Sequence, residues 1–327
     1  MKGKPRHSRA PLPFLPSSKY VATIGSLGVP SRVLGGYPVH LLAVLAAYSL
    51  TLPAVYGRIV VSCRNIRACT RQLRLLAIAS TSVPITGLVL LARIARDILV
   101  EAVVAAAAAP IVVAVVARML FRPSGIVEAW YHGVRVSARL VDIPIPAFSV
   151  AVLGRVYLST RALAAPVHRL CVMIAHEQGH LEAFHPVPVQ LAALAPTAAA
   201  ATALTVLLSS AMLTPAWIAS TLLLVASLAI AWTVYSWSWE HLADLHSARI
   251  CSVQAALDTL AALAGWRTCM ITPAKAYRVL VKTLWPRRAR GPFLINPHPP
   301  PCLRLWLLSR FQLLKTSRPE PNSGWAP

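Results

Sequence analysis

The sequence predicts a mainly α-helical, multi-pass membrane protein of four to five spans with a small α+β domain on its cytoplasmic face. Apolar residues make up 57% of the 327 residues and charged residues only 13%, and the mean hydropathy is +0.61. Soluble chains carry roughly a quarter charged residues. This chain therefore has too little polar surface to cover a water-soluble globule, and the same composition excludes disorder, coiled coil and a collagen-like fold.

The net charge of +22, from 32 Lys and Arg against 10 Asp and Glu, suggests two kinds of partner. A basic soluble protein of this kind would suggest nucleic acid. Here the basic residues lie between apolar blocks, and no basic stripe is interleaved with aromatic residues. We therefore expect Arg-rich cytoplasmic loops beside anionic lipid, and no nucleic-acid partner.

The N-terminal third is predicted to contain membrane spans after a basic segment at residues 1–37. A spanning helix needs about 20 apolar residues. Within a transmembrane region at 38–117, the segments that meet this criterion best are 38–57, 75–92 and 98–117. If 38–57 crosses, the chain must begin outside the cell despite its basic N-terminus, so four and five spans both stay open.

A second membrane element is predicted at 187–238. Residues 183–239 contain no Asp, Glu, Lys or Arg, and as one helix they would be about 85 Å long, too long for a bilayer. Pro215 divides them into a hairpin with spans near 189–212 and 216–237. Two crossings return the chain to its starting side, and the positive-inside rule makes that side the cytoplasm.

The polar segments are 118–186 and 239–315, and 316–327 reads as a disordered tail. We predict strands near 143–152 and 155–159 and helices near 166–183, 238–264, 274–285 and 302–315. The six cysteines form no Cys-x-x-Cys pair, so we expect reduced thiols buried in lipid or core. A disulfide, as some thermophiles keep inside the cell, is the alternative.

One motif in the predicted helix at 166–183 is specific to metal chemistry: His176-Glu177-Gln178-Gly179-His180. Histidines at i and i+4 project from one helical face, so both imidazoles can bind one zinc ion. A glutamate beside the first histidine can then act as general base on a zinc-bound water.

Such a site needs a third protein ligand, and Glu240 follows the predicted hairpin in the run Glu240-His-Leu-Ala-Asp244. Asp244 lies one turn further on the same helical face, where it can accept the ring N–H of a ligand histidine and hold its tautomer. Because the hairpin returns to its starting side, Glu240 and the histidine pair should meet at one membrane surface. The intervening His241, which points about 100° away, and His246 are expected to be structural.

This pairing of motifs, separated by two apolar spans, resembles the HtpX-like integral membrane metallopeptidases and their relatives, the CAAX prenyl proteases. The resemblance extends over roughly 98–310 and includes Pro146-Ala-Phe-Ser149 ahead of a strand and Asn296-Pro-His-Pro-Pro300 before Arg304. Pro146 stands where the family has Asn, a departure that affects substrate contact there. Residues 1–74 have no counterpart.

The resemblance implies a role for each residue of the site. His176, His180 and Glu240 would bind one zinc ion and Glu177 would be the base. His298 would stabilise the oxyanion, and Arg304 would pair with Asp244. A peptide substrate would lie along an edge strand that contains Val156, Tyr157 and Leu158.

The predicted function is a zinc endopeptidase of the cytoplasmic membrane, with its site facing the cytoplasm, whose substrates the resemblance implies to be membrane-associated or misfolded proteins. The alternative is a multi-pass transporter or membrane scaffold with an incidental metal site. Against the alternative, the ionisable residues cluster in two motifs beside the membrane and do not line a path through the spans. The oligomeric state stays open.

Overall fold

The computed structural model of the chain describes residues 39–81, 115–150, 153–183, 215–264 and 298–316, together with positions 108 and 112. These residues form a four-stranded sheet and the helices that pack around it. In chain order the elements are α1 (Val39–Ser62), α2 (Ile66–Ser80), β1 (Gly125–Tyr131), β2 (Val134–Val141), β3 (Ala147–Val150), β4 (Arg155–Ser159), a 3-10 helix (Thr160–Ala164), α3 (Val167–Ala183), α4 (Pro215–Cys251), α5 (Val253–Ala264) and α6 (Pro301–Thr316).

The sheet has the strand order β1-β2-β4-β3, with β2 and β4 parallel and the other two pairs antiparallel. The predicted strands near 143–152 and 155–159 correspond to β3 and β4, whereas β1 and β2 were not predicted. Their connection is the two-residue turn His132-Gly133, with φ of 48° and 77°. Positive φ at both positions gives the tight turn that suits the twist of a hairpin.

The predicted substrate edge strand is wrong. Val156, Tyr157 and Leu158 lie in β4, which pairs with β2 on one side and with β3 on the other. All three side chains are buried, so this strand has no free edge for a peptide. The edge strands of the described sheet are β1 and β3, and β3 is the one that pairs with β4.

Helix α3 confirms the predicted helix near 166–183 and lies against the inner face of the sheet. Cys171, Ile174 and Ala175 are buried there, in one apolar cluster with Val136 and Leu158 from β2 and β4. The packing surface lies on one side of the helix, which leaves His176 and His180 free to face α4. The sheet therefore orients the motif helix.

Helix α4 runs without a break from the predicted span 216–237 into the segment that carries Glu240. The boundaries predicted at 238 and 239 do not divide two helices, since no Gly or Pro interrupts the helix there. It ends at Cys251, because the φ of 103° at the following Ser252 lies outside the helical region, and α5 follows. Thus the predicted helix at 238–264 is in fact the end of α4 followed by α5.

Among the described residues, one helical segment, Leu222–Cys251 within α4, is long and apolar enough to cross a membrane. The predicted span 38–57 is helical over its described residues, which belong to α1. The first residues of the span predicted at 75–92 belong to α2, an amphipathic helix that buries one face. Most of the predicted span 98–117 lies outside the described residues. The same is true of the whole span 189–212 and of the helix predicted at 274–285.

The expectation of reduced thiols is wrong. Cys63 pairs with Cys69 in the α1–α2 connection, and Cys171 of α3 pairs with Cys251 at the end of α4. Cys302 is also in a disulfide. The fold brings these cysteines together from positions as far as 80 residues apart, which no sequence spacing indicates.

Candidate metal centre

Helices α3 and α4 approach each other closely at Gly179, inside the histidine motif. A Cβ atom at this position would lie 2.8 Å from the Ala243 Cα and 3.0 Å from the His246 Cβ. The first of these contacts is with backbone, which cannot rotate away. The absence of a side chain at Gly179 therefore allows the two helices to bring their functional groups together.

Three possible metal-binding residues converge where the helices meet. One nitrogen each of His176 and His180 and one oxygen of Glu240 all lie within 4.8 Å of one another. His180 Nε2 lies 3.3 Å from Glu240 Oε1, and His176 Nε2 lies 3.5 Å from Glu240 Oε2. The two imidazole rings stand perpendicular to each other, with centroids 4.8 Å apart.

The other ring nitrogen of His176 contacts a second carboxylate. His176 Nδ1 lies 3.1 Å from Asp244 Oδ1, so Nε2 is the nitrogen that faces Glu240. Arg304 of α6 donates two hydrogen bonds to Asp244, from Nε to Oδ2 at 2.8 Å and from Nη2 to Oδ1 at 2.6 Å. This bidentate pair fixes the carboxylate, which in turn fixes the imidazole.

The same place contains a cavity of about 180 Å³. Its walls include His176 and Glu177 of the motif, Pro146 and Ala147 at the start of β3, and apolar side chains of α3 and α5. His298, in the turn before α6, lies with Nδ1 3.0 Å from Glu240 Oε1. Every residue predicted for the catalytic and metal site thus lies in or beside this cavity, whereas Val156, Tyr157 and Leu158 do not line it.

Buried carboxylates change the proton affinity of the surrounding groups. Burial opposes a charge on His176, but its hydrogen bonds to the Asp244 and Glu240 carboxylates outweigh this effect and raise its pKa to about 10. The hydrogen bond to Glu240 also raises the pKa of His298. Burial works against the charge of Arg304, but the Asp244 carboxylate more than offsets it and raises its pKa. The site therefore favours cations.

Two observations test whether these residues fit a zinc ion. Two imidazole nitrogens and one carboxylate oxygen, with a position left over for water, form a donor set typical of catalytic zinc. In addition, Glu240 Oε2 is buried and accepts no hydrogen bond; its nearest charged partners, His176 Nε2 and Arg304 Nη1, are 3.5 Å away, whereas buried carboxylate oxygens normally have a closer partner. The donor set and the unsatisfied oxygen both fit a cation held by His176, His180 and Glu240.

Some contacts of the site were not found from the sequence. His241, expected to be structural, points away from the cavity and meets the Tyr56 hydroxyl of α1. His246 Nδ1 lies 3.2 Å from Glu182 Oε2, which joins α4 to the end of α3. Gly179 could have been singled out by its place in the motif. No spacing could have paired Tyr56 with His241, which lie 185 residues apart.

The chain matches the family model described as peptidase family M48 over residues 145–311. The matched region runs from the residues before β3 to α6, and it contains every residue of the centre described above. Helices α1 and α2 and strands β1 and β2 lie outside it. No curated protein and no solved structure matches the chain.

Proposed function

The chain belongs to peptidase family M48, and on that premise we propose that it is an integral membrane zinc endopeptidase of the HtpX-like and CAAX protease type, active at the cytoplasmic surface. The observation that carries this proposal is the convergence of His176, His180 and Glu240 within 4.8 Å. It is reinforced by the Asp244 carboxylate, which holds one of these histidines from behind.

A zinc ion bound by these three residues would polarise the scissile carbonyl and make a bound water acidic near neutral pH. Glu177, on the cavity wall, would accept the proton of the attacking water and deliver it to the leaving amine. His298 would stabilise the negative charge that develops on the carbonyl oxygen. Arg304 and Asp244 would hold His176 in the tautomer that presents Nε2.

We propose that the substrate lies along β3. This strand is at the sheet edge, and Ala147, its first residue, lines the cavity. An extended peptide added to this edge would pass directly beside the metal centre. Pro146 has no N–H to donate to such a peptide, so its backbone contacts would begin beyond this residue.

The membrane setting is supported by composition and by α4. The first part of this helix exposes large apolar side chains, with Leu222 58% exposed, whereas its second part is buried around Glu240. A helix of this kind would contact lipid at one end and hold the metal centre at the other. We propose membrane-associated or misfolded proteins as substrates, which the HtpX-like resemblance implies.

The decisive experiment uses the full chain, purified in detergent, with casein as substrate. Cleavage should stop on chelation and return with zinc. Glu177→Gln should lower the rate by roughly 100- to 10,000-fold, because it removes the general base, while zinc content stays at the wild-type level. A Glu177→Gln protein that cleaves casein at the wild-type rate would end the assignment.

The third ligand has its own test. Glu240→Ala should lower zinc content, because it removes the carboxylate, whereas Glu128→Ala, which removes an exposed carboxylate of β1 that pairs with Arg135, should leave it unchanged. Full occupancy in Glu240→Ala would mean that the third ligand lies elsewhere. Zinc uptake into vesicles without proteolysis would support the transporter alternative instead.

A further inference from the structure

The two N-terminal helices lie outside the family match, yet they pack against the helix that carries Glu240. Leu52, Tyr56 and Val60 of α1 are buried in one cluster with Leu228 and Trp237 of α4. Helix α2 also contacts α4. This packing places α1 beside the metal centre, on a face of α4 that does not line the cavity.

At the centre of this interface is a polar contact between Tyr56 and His241. The Tyr56 hydroxyl oxygen lies 2.7 Å from His241 Nε2, and the two rings stack with centroids 5.9 Å apart. Both side chains are fully buried. His241 Nδ1 has no hydrogen-bond partner among the described residues, so the Tyr56 hydroxyl is the polar partner that they supply to this ring.

This contact bears on the metal centre because His241 directly follows Glu240. Adjacent residues on a helix point about 100° apart. The Asp244–Arg304 pair holds α4 at the cavity, and the Tyr56–His241 bond holds it in a second direction, about 60° further round the helix, because residues three apart are separated by about 300°. Two side-chain contacts in different directions fix the rotation of a helix about its axis. That rotation decides where the Glu240 carboxylate points.

We propose that Tyr56 is a positioning residue for the metal centre, acting through His241 to hold Glu240 in register with His176 and His180. The proposal rests on the proposed function for its metal and extends it in one respect. The catalytic unit includes α1, although this helix lies outside the family match.

Tyr48 provides a matched control on the same helix. Its hydroxyl donates a hydrogen bond of 3.0 Å to the Ala79 carbonyl of α2 and does not involve α4. Tyr56→Phe and Tyr48→Phe each remove one hydroxyl and its bond. The comparison therefore separates the general effect of losing a tyrosine hydrogen bond on α1 from the specific effect of losing the contact with His241 of α4.

The experiment measures zinc affinity by competition with a chelator, on full-length protein in detergent, and the visible absorption of the cobalt-loaded form. Tyr56→Phe should weaken zinc binding about 10-fold, the lower end of what outer contacts of metal sites contribute, and should shift the cobalt spectrum. On casein it should lower kcat more than it changes KM. Tyr48→Phe should stay within about twofold of wild type, as expected for a contact away from the site.

Variants of His241 test whether Tyr56 influences zinc binding through this residue. His241→Phe should weaken zinc binding as much as Tyr56→Phe, and the double variant should be no worse than either, because residues acting as one unit are not additive. His241→Gln, whose amide can still bond to the hydroxyl, should recover most of the affinity. If Tyr56→Phe does not fold, the comparison of His241→Gln with His241→Phe gives the same test.

The outcomes separate the two proposals. Wild-type protein that binds zinc but cleaves nothing would refute the endopeptidase while the affinity series still tests Tyr56. Equal zinc affinity in Tyr56→Phe and Tyr48→Phe, or strictly additive effects in the double variant, would overturn the positioning role and leave the endopeptidase intact.

Discussion

The two helices that supply the metal-binding groups are held in different ways. Helix α3 presents two histidines, and it is positioned by an apolar face against the sheet, including Ile174 and Ala175. Helix α4 presents Glu240 and Asp244, both buried. Its polar groups are held by side chains from distant parts of the chain: Arg304, 60 residues from Asp244, and Tyr56, 185 residues from His241.

This difference follows from the charge of the ligands. A histidine is neutral when it binds metal and needs little compensation. A buried carboxylate needs hydrogen bonds or a counter-ion, because burial of an unpaired charge is costly. The helix with the carboxylates therefore depends on long-range polar contacts, whereas the histidine helix depends on ordinary packing. Three changes test this contrast.

The largest effect should come from the disulfide that joins the two helices. Cys171→Ala with Cys251→Ala opens a loop of 80 residues and should lower the free energy of unfolding by about 4.5 kcal/mol in the chain-entropy model. Cys63→Ala with Cys69→Ala, a separation of 6, should lower it by only about 2 kcal/mol. Denaturant unfolding in detergent measures both.

Equal decreases in unfolding free energy for the two double variants would show that the disulfide between α3 and α4 stabilises the protein no more than the short-range disulfide does. Mass measurement after alkylation, with and without reduction, shows whether the isolated protein contains these bonds. Disulfides persist inside the cell chiefly in hyperthermophiles. A site facing the cytoplasm therefore requires a cell that maintains them.

Removal of the counter-ion of α4 should come next. Arg304→Met removes the two guanidinium hydrogen bonds to the buried Asp244 carboxylate, and the metal-free protein should lose about 3–5 kcal/mol of unfolding free energy. Arg310→Met, on the same helix, removes a hydrogen bond to the neutral Val61 carbonyl and should cost about 1.5–3 kcal/mol. If Arg304→Met lowered the unfolding free energy less than Arg310→Met, the need to compensate buried carboxylates would not explain why α4 depends on long-range polar contacts.

The smallest effect concerns the contact between the helices. Gly179→Ala places a Cβ 2.8 Å from the Ala243 Cα, so the helices must separate, at about 1–3 kcal/mol and with weaker zinc binding. Gly125→Ala, where the nearest atom would be 3.9 Å away, is the control. Calorimetry and zinc titration measure the two changes. Unchanged zinc affinity in Gly179→Ala would show that the spacing of the helices is not critical.

The helical pattern allowed a large part of the site to be predicted. The i, i+4 spacing placed His176 and His180 on one face of α3, and the structure has both on the face toward α4. The four-residue spacing of Glu240 and Asp244 likewise placed these carboxylates on one face of α4. The hairpin β1–β2 was missed, although Val, Ala and Leu alternate with polar residues along β2 from Val134 to Leu140. Alternation of this kind indicates a strand.

The edge of the sheet could not be predicted in the same way. Strand-like composition showed that residues 155–159 would form a strand, but strand order depends on which hydrogen-bonding partners arrive from elsewhere in the chain. Strands β2 and β3 pair with the two sides of β4, so the free edges belong to β1 and β3. The disulfide partners were hidden for the same reason, since Cys171 and Cys251 meet only after α3 and α4 pack.

The sequence by itself determined the ligand types, their spacing along each helix and the apolar character of the chain, because these depend only on local helical geometry and on composition. Tertiary structure alone decided which strands form the sheet edges, which cysteines pair, and that Tyr56 meets His241 of the carboxylate helix. Those contacts join residues far apart in the chain. They form only because burial of charged and polar groups requires partners, and packing decides which residues are near enough to serve.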